Sequence, residues 1–297
     1  MFTGLSAFPL TPLRDDSFDE ASFARLIERL VTAGVDSLTA LGSTGSYMYL
    51  DRDERRRVAR AAVSLAGDVP VMVGIGALRT SEVQRLADDA QDAGASAVLL
   101  APVTYQALTA DEVLALFEDV TAGLSVPLVV YDNPGTTHVT FTDDLYARIA
   151  TLPHVASIKI PAVPSDPQTA AARVRAIREH LPSTVSIGVS GDGSAATGLN
   201  AGCDAWYSAI GGTLPVAALT ITRAAQSGDH PAATAESTRL QPLWDLFAEY
   251  GSYRVTAAIA ERLDLVGPHC LPRPVLGLDP QGRAKVAEIV DRLDLRA

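Results

Sequence analysis

The sequence predicts an α/β protein of the (β/α)8 TIM-barrel class with a small helical appendage at the C-terminal end. Three observations predict it. Eight short apolar runs alternate with stretches of helical periodicity, mostly over the first two-thirds of the 297 residues. An Ala-Gly pair recurs where a helical stretch stops and a strand begins, at Ala33-Gly34, Ala93-Gly94 and Ala201-Gly202, the mark of a repeated αβ unit. No glycine-rich dinucleotide fingerprint follows the first run, which argues against a doubly wound open sheet.

The runs fall at residues 5–10, 35–41, 69–73, 95–101, 127–131, 155–160, 185–189 and 205–209. Ahead of the second, Ser17-Phe18-Asp19-Glu20 reads as a capping box, and Phe23, Leu26, Ile27, Leu30 and Val31 follow at helical spacing. Gly34 is placed to end that helix. Residues 80–93 read as a further helix, stopped by Gly94. From about Gln226 the pattern changes to helices without strands. Leu240, Leu243, Trp244 and Phe247 carry the first, and residues 255–263 and 284–293 the others, with 268–274 joining the last two. Residues 1–225 are therefore read as the barrel that holds the active site. Residues 226–297 are read as a helical region for packing or subunit contacts.

Composition narrows the function. A hydrophobic fraction of 47% with 20% charged residues supports a sizeable core. The balance of 24 Lys+Arg against 35 Asp+Glu argues against nucleic acid or an anionic membrane as partner. No apolar run reaches transmembrane length, and Met1-Phe2-Thr3-Gly4 lacks the regions of a signal peptide. Two cysteines, Cys203 and Cys270, imply neither a disulfide framework nor a metal ribbon. The expectation is a cytoplasmic protein with free thiols. One bias is sharper: only Lys159 and Lys285 are lysines, and every other cation is arginine. A lysine kept inside an apolar strand suggests a task arginine cannot perform, since Lys can give up its proton and act as a nucleophile.

Chemistry in such a barrel sits at the C-terminal ends of the strands. In residues 155–160, Val155, Ser157 and Lys159 share one face and Ala156, Ile158 and Ile160 the other. The second set suits the helix layer, so Lys159 points into the barrel near its upper end. Burial there would lower its pKa and raise the free-amine fraction. The competing reading is a lysine paired with a barrel carboxylate. Tyr131, inward with Val129 on the preceding strand, is placed to relay protons above Lys159, although alone it would read as packing. Gly42-Ser43-Thr44-Gly45 offers amides and two hydroxyls for a carboxylate, and Gly188 with Ser190-Gly191-Asp192-Gly193 is similar. Each by itself reads equally as a turn. Gly211-Gly212-Thr213 stands where many barrels bind phosphate, but no cation lies close in sequence. His138, His154, His180, His230 and His269 show no metal-ligand spacing. No nucleophile elbow is present, and neither metal nor cofactor is expected.

Together these residues resemble the dihydrodipicolinate synthase/N-acetylneuraminate lyase family of class I aldolases and lyases. The anchors are Gly42-Ser43-Thr44-Gly45, Tyr131-Asp132-Asn133-Pro134, Ile158-Lys159 and Pro272-Arg273-Pro274. The resemblance implies that Lys159 is the Schiff-base lysine, with Tyr131 the proton-relay tyrosine. It implies that Gly42, Ser43 and Thr44 hold the carboxylate of a pyruvate-like 2-oxo acid, with the hydroxyls linked to that tyrosine and Thr44 part of the catalytic set. Tyr207 falls where a backbone carbonyl faces the imine. Tyr105, Thr136 and Gly191 mark the loops expected to meet an aldehyde or sugar-acid co-substrate. A homotetramer of two tight dimers is implied as well.

Departures from the synthases of that family bear on the substrate. The stretch Gly135-Thr136-Thr137-His138 lacks the arginine that holds a distal carboxylate there, leaving His138 as its one candidate cation. Pro102-Val103-Thr104-Tyr105 shifts a paired tyrosine by one place, and Ile160 follows the lysine where many members have Glu. The expectation is a Schiff-base-forming lyase that makes or breaks a C–C bond on another substrate. The alternatives are a 2-keto-3-deoxy sugar-acid dehydratase, dihydrodipicolinate synthase proper, or a non-catalytic 2-oxo-acid-binding paralogue.

Overall fold

The computed structural model describes residues 2–295. Its centre is a closed parallel barrel of β1 (Gly4–Ala7), β4 (Ser37–Ala40), β5 (Val71–Gly74), β6 (Ala97–Leu100), β7 (Leu128–Tyr131), β8 (Val155–Ile160), β9 (Ser186–Val189) and β10 (Ala205–Ser208). Each neighbour is the next barrel strand in sequence, and β10 closes on β1. All eight runs are strands, most of them shorter than the run. In the first, Phe8 and Leu10 lie beyond β1 yet remain buried. Leu10 packs with Leu26, Ala257, Ala260 and Val266, so its apolarity reports a contact with the C-terminal helices and not a continuing ladder.

Alternation within the strands separates two cores. Leu38, Val73, Val98, Val130, Ile158 and Ile187 turn out toward the helices, in the main hydrophobic layer. Met72, Leu99, Val129, Tyr131, Ala205 and Tyr207 turn in and fill the barrel. Polar inward residues are satisfied by one another: Ser6 Oγ and Thr39 Oγ1 are 2.9 Å apart, and Ser157 Oγ and the Tyr207 hydroxyl 2.7 Å. A Cβ at Gly188 would stand 2.1 Å from the Tyr207 ring, so that strand yields its inward space to the tyrosine.

Between β1 and the first helix the chain makes a small hairpin, β2 (Leu13–Arg14) with β3 (Ser17–Phe18), turning at Asp15 and Asp16 with positive φ of 51° and 59°. The capping-box expectation is corrected here. Ser17 belongs to β3, and α1 (Glu20–Ala33) is capped by Asp19, which accepts from the Ser22 amide (3.1 Å) and hydroxyl (2.7 Å). Phe23, Leu26, Ile27 and Leu30 form its buried face, and Gly34 closes it at φ 75°. The expected helix at 80–93 is α3 (Thr80–Asp92).

The remaining outer helices are α2 (Arg52–Leu65), α4 (Ala110–Thr121), α5 (Pro134–Thr137), α6 (Asp143–Ala150), α7 (Pro167–Glu179), α8 (Ala195–Asn200) and α9 (Pro215–Gln226). Beyond them run α10 (His230–Arg239), α11 (Gln241–Tyr250), α12 (Ser252–Arg262) and α13 (Pro280–Arg292). Helix α10 escaped the sequence pattern because Ala233 is its one buried residue. Among the described residues no helix is long and apolar enough to cross a membrane.

Candidate active site

At the C-terminal ends of the strands a cavity of about 770 Å³ opens over the barrel interior. Lys159 stands on its floor, 4% exposed. Strand register sets Tyr131 directly opposite it, and the Asp132 amide donates to the Lys159 carbonyl at 3.0 Å. The amine lies 3.9 Å from the ring centre of Phe8, 3.8 Å from that of Tyr131 and 6.0 Å from that of Tyr207. Among the described residues no carboxylate comes within ion-pair distance of it, so the paired-lysine reading does not hold. Burial pushes its pKa down to about 7, against a smaller upward pull from the Asp192 charge. Near neutral pH a large fraction of this amine is therefore uncharged.

Tyr131 is buried, and its hydroxyl accepts from Asn133 Nδ2 at 2.8 Å and meets Ser43 Oγ at 3.4 Å. Burial raises its pKa, while the bonds from Ser43 and Asn133 work the other way. Asp192 lies on the same wall with its oxygens held by Trp206 Nε1 (3.0 Å), Ser208 Oγ (2.9 Å) and the Ile210 amide (3.0 Å). Burial raises its pKa and the Lys159 charge lowers it. Asp132 accepts from the Tyr146 hydroxyl, and burial lifts its pKa to about 6.

Most residues expected from the sequence meet at this cavity. Lys159, Tyr131, Ser43, Thr44, Tyr207, Thr136 and Gly191 all line it. Within that set the hydroxyl that reaches Tyr131 belongs to Ser43, while Thr44 stands beside it on the wall. Two expected residues lie off this wall. Gly42 stands behind Phe8 and off the wall, where a Cβ would come within 2.4 Å of that ring. Its lack of a side chain makes room for the aromatic floor. Tyr105 is 88% exposed on the loop after β6 and does not reach the cavity of its own chain. His138 is likewise exposed and off the wall.

Sequence reasoning missed several residues. In the sequence Phe8 is only part of the first apolar run, and Asn133 only part of the Tyr131-Asp132-Asn133-Pro134 anchor with no role of its own. Trp244, Phe247, Ala248, Ser252 and Tyr253 wall the cavity from α11 and α12, and the Tyr253 hydroxyl reaches Ser46 Oγ at 2.5 Å. Nothing local in the sequence joins α12 to the 42–46 loop. Among the described residues no cluster of three or more His, Cys, Asp or Glu could hold a metal. Both cysteines are buried, with their thiols pushed up to about 12.

A buried, unpaired lysine under a tyrosine, at the mouth of a parallel barrel, is the arrangement of a class I aldolase or lyase. The model of the "Dihydrodipicolinate synthetase family" matches residues 1–293, and the chain belongs to that family of lyases. The crystal structure of dihydrodipicolinate synthase from Agrobacterium tumefaciens is 46% identical, with a TM-score of 0.94 over 98% of each chain. A 4-hydroxy-tetrahydrodipicolinate synthase from Parvibaculum lavamentivorans is 31% identical over 82% of each chain. Another so named, from Phenylobacterium zucineum, is 34% identical over 54% of each, so the chain spans about half the length of some curated relatives it matches.

Proposed function

We propose that this chain is a Schiff-base-forming lyase that joins a pyruvate-like 2-oxo acid to an aldehyde, or splits the corresponding product. The observation that carries the reading is Lys159: a buried amine with no carboxylate partner, facing an open cavity beside a tyrosine. The Lys159 nitrogen attacks the 2-oxo carbon, and the carbonyl oxygen takes up a proton to give a carbinolamine. Loss of water, with a proton from Tyr131, leaves an iminium. The tyrosinate then takes a proton from the neighbouring carbon, and the resulting enamine attacks the aldehyde. Ser43 and Thr44 supply hydroxyls for the 2-oxo acid carboxylate. No cofactor enters.

The cavity wall bears on the second substrate. Lys159 is its only cationic side chain among the described residues, and its acids are Asp132 and Asp192. Trp244, Phe247, Thr136, Ser190, Ser194 and Ser252 also line it. Such a wall favours an aldehyde or sugar-acid chain whose distal end is uncharged. A second reading, dihydrodipicolinate synthase proper on an aldehyde with a distal carboxylate, is favoured by the names of the relatives. Those names also favour carbon–carbon bond formation over sugar-acid dehydration. The resemblance further suggests a cytoplasmic homotetramer, checked by cell fractionation and sedimentation.

Borohydride added with pyruvate is expected to leave an adduct on the peptide carrying Lys159, read by mass. A folded protein that gives no adduct would end the proposal. A screen of retro-aldol and dehydration on 2-keto-3-deoxy acids, 4-hydroxy-2-oxo acids and sialic acid, against condensation with a carboxylated aldehyde, separates the readings of the second substrate.

A further inference from the structure

Asn133 occupies a position where its side chain has an ordinary structural use, and it is used otherwise. It is the N-cap residue of α5. An asparagine there normally accepts from the backbone amides of the first turn, but this side chain makes no capping bond. Its Nδ2 instead donates to the Tyr131 hydroxyl at 2.8 Å. The α5 turn is held without it, by the Thr136 and Thr137 amides and the Thr137 hydroxyl donating to the Asn133 carbonyl at 3.0, 2.9 and 3.0 Å.

The consequence for Tyr131 is directional. An amide nitrogen donates only, so the phenol oxygen accepts on that side. The phenol proton is left to point toward Ser43 Oγ, 3.4 Å away, or toward a substrate oxygen in the cavity. When that proton leaves, a donor is already seated on the oxygen that becomes negative, with no reorganisation needed. The charged and titratable groups around the phenol are Lys159, Asp192 and Asp132. Both acids oppose its ionisation, whereas the hydrogen bonds from Ser43 and Asn133 assist it.

The geometry points to Asn133 as a positioning residue of the reaction: it orients the Tyr131 proton and stabilises the tyrosinate during dehydration of the carbinolamine. This rests on the Lys159 imine reading. The step balances as one proton leaving Tyr131 with the departing water and one returning from the adjacent carbon.

The test is the time course of borohydride-trapped pyruvate adduct from pH 4 to 9, a range that spans carboxyl protonation, in wild type, Asn133→Leu and Asn133→Asp, with circular dichroism confirming the fold at each pH. Both variants keep the side-chain shape; the first removes the donor, and the second replaces it with an acceptor once ionised. The final adduct level on Lys159 is expected to match wild type. The rate in Asn133→Leu is expected to fall about tenfold at every pH, less than removing the proton-transferring group itself would cost. The Asn133→Asp rate, divided by wild type, is expected to rise as pH falls, because the neutral acid can donate again. Equal rates in all three proteins would overturn the inference, as would a pH-independent loss in the aspartate variant. That ratio decides even where the leucine variant does not fold. No adduct in wild type would instead remove the imine reading beneath it.

Discussion

The two lysines of this chain sit in opposite environments. Lys285, on α13, donates to Glu249 Oε1 at 2.7 Å and to the Tyr250 hydroxyl at 2.9 Å, at the surface. Those bonds, the Glu249 contact first, raise its pKa and hold it as an ammonium. Lys159, at the end of β8, has aromatic faces around it, no carboxylate partner and a pKa of about 7. One side chain is held as a surface cation and the other is left with a readily lost proton, and the difference is supplied wholly by neighbours. Protonation state follows desolvation and partners, not residue type.

The largest way to break that contrast is to keep the charge and remove the chemistry. Lys159→Arg is expected to abolish the trapped adduct and lower kcat by at least about a thousandfold, because arginine stays protonated and cannot form the imine. Lys285→Arg is expected to leave kcat at the wild-type level. Parallel assays of the two variants check both. A Lys159→Arg enzyme with substantial turnover would mean that the imine lies elsewhere. Next in size is Tyr131→Phe, which keeps the ring beside the amine and removes the relay. A loss of about a hundredfold in kcat is expected, with KM for the 2-oxo acid changed far less. A matching rise in KM with kcat intact would make Tyr131 a binding group.

The fold was legible because each barrel strand carries an apolar outward set that only a helix layer can bury, and Ala-Gly breaks separate the units. The direction of Lys159 followed from the same alternation, since Ile158 and Ile160 could face only the helices. What escaped reading depends on contacts between distant segments. Ser46 and Tyr253 meet across 207 positions, and Trp244 joins the wall only once α11 docks. Asn133 stood in an anchor motif, but nothing in the sequence shows that its side chain leaves the α5 cap for the Tyr131 hydroxyl. Gly42 was assigned to the substrate because a glycine announces close approach without naming what approaches; here it is Phe8.

A smaller effect sharpens the comparison through pH. With the Lys159 pKa near 7, the rate of adduct formation is expected to fall about tenfold for each pH unit below roughly 6, as the amine is protonated, and to level off above about 8. Trapping rates at saturating pyruvate measure it. A profile still climbing toward pH 10 would mean that burial does not depress this amine.

The last effect is on stability, and its sign is opposite to that of an ordinary core truncation. Burial lowers the Lys159 pKa from 10.5 in the free side chain to about 7 in the folded chain. Below about 7 both states carry the ammonium, and the folded state bears the full cost of hiding it. Between about 7 and 10.5 the unfolded state holds the proton more tightly, so stability rises with pH and the cost fades. Lys159→Met, similar in length and uncharged, is therefore expected to stabilise the protein by on the order of a few kcal/mol near pH 6. The gain shrinks as pH approaches 10.5. Urea unfolding of wild type and variant at several pH values would show it, whereas a Met variant less stable than wild type at pH 6 would mean that the amine is not paying for its burial.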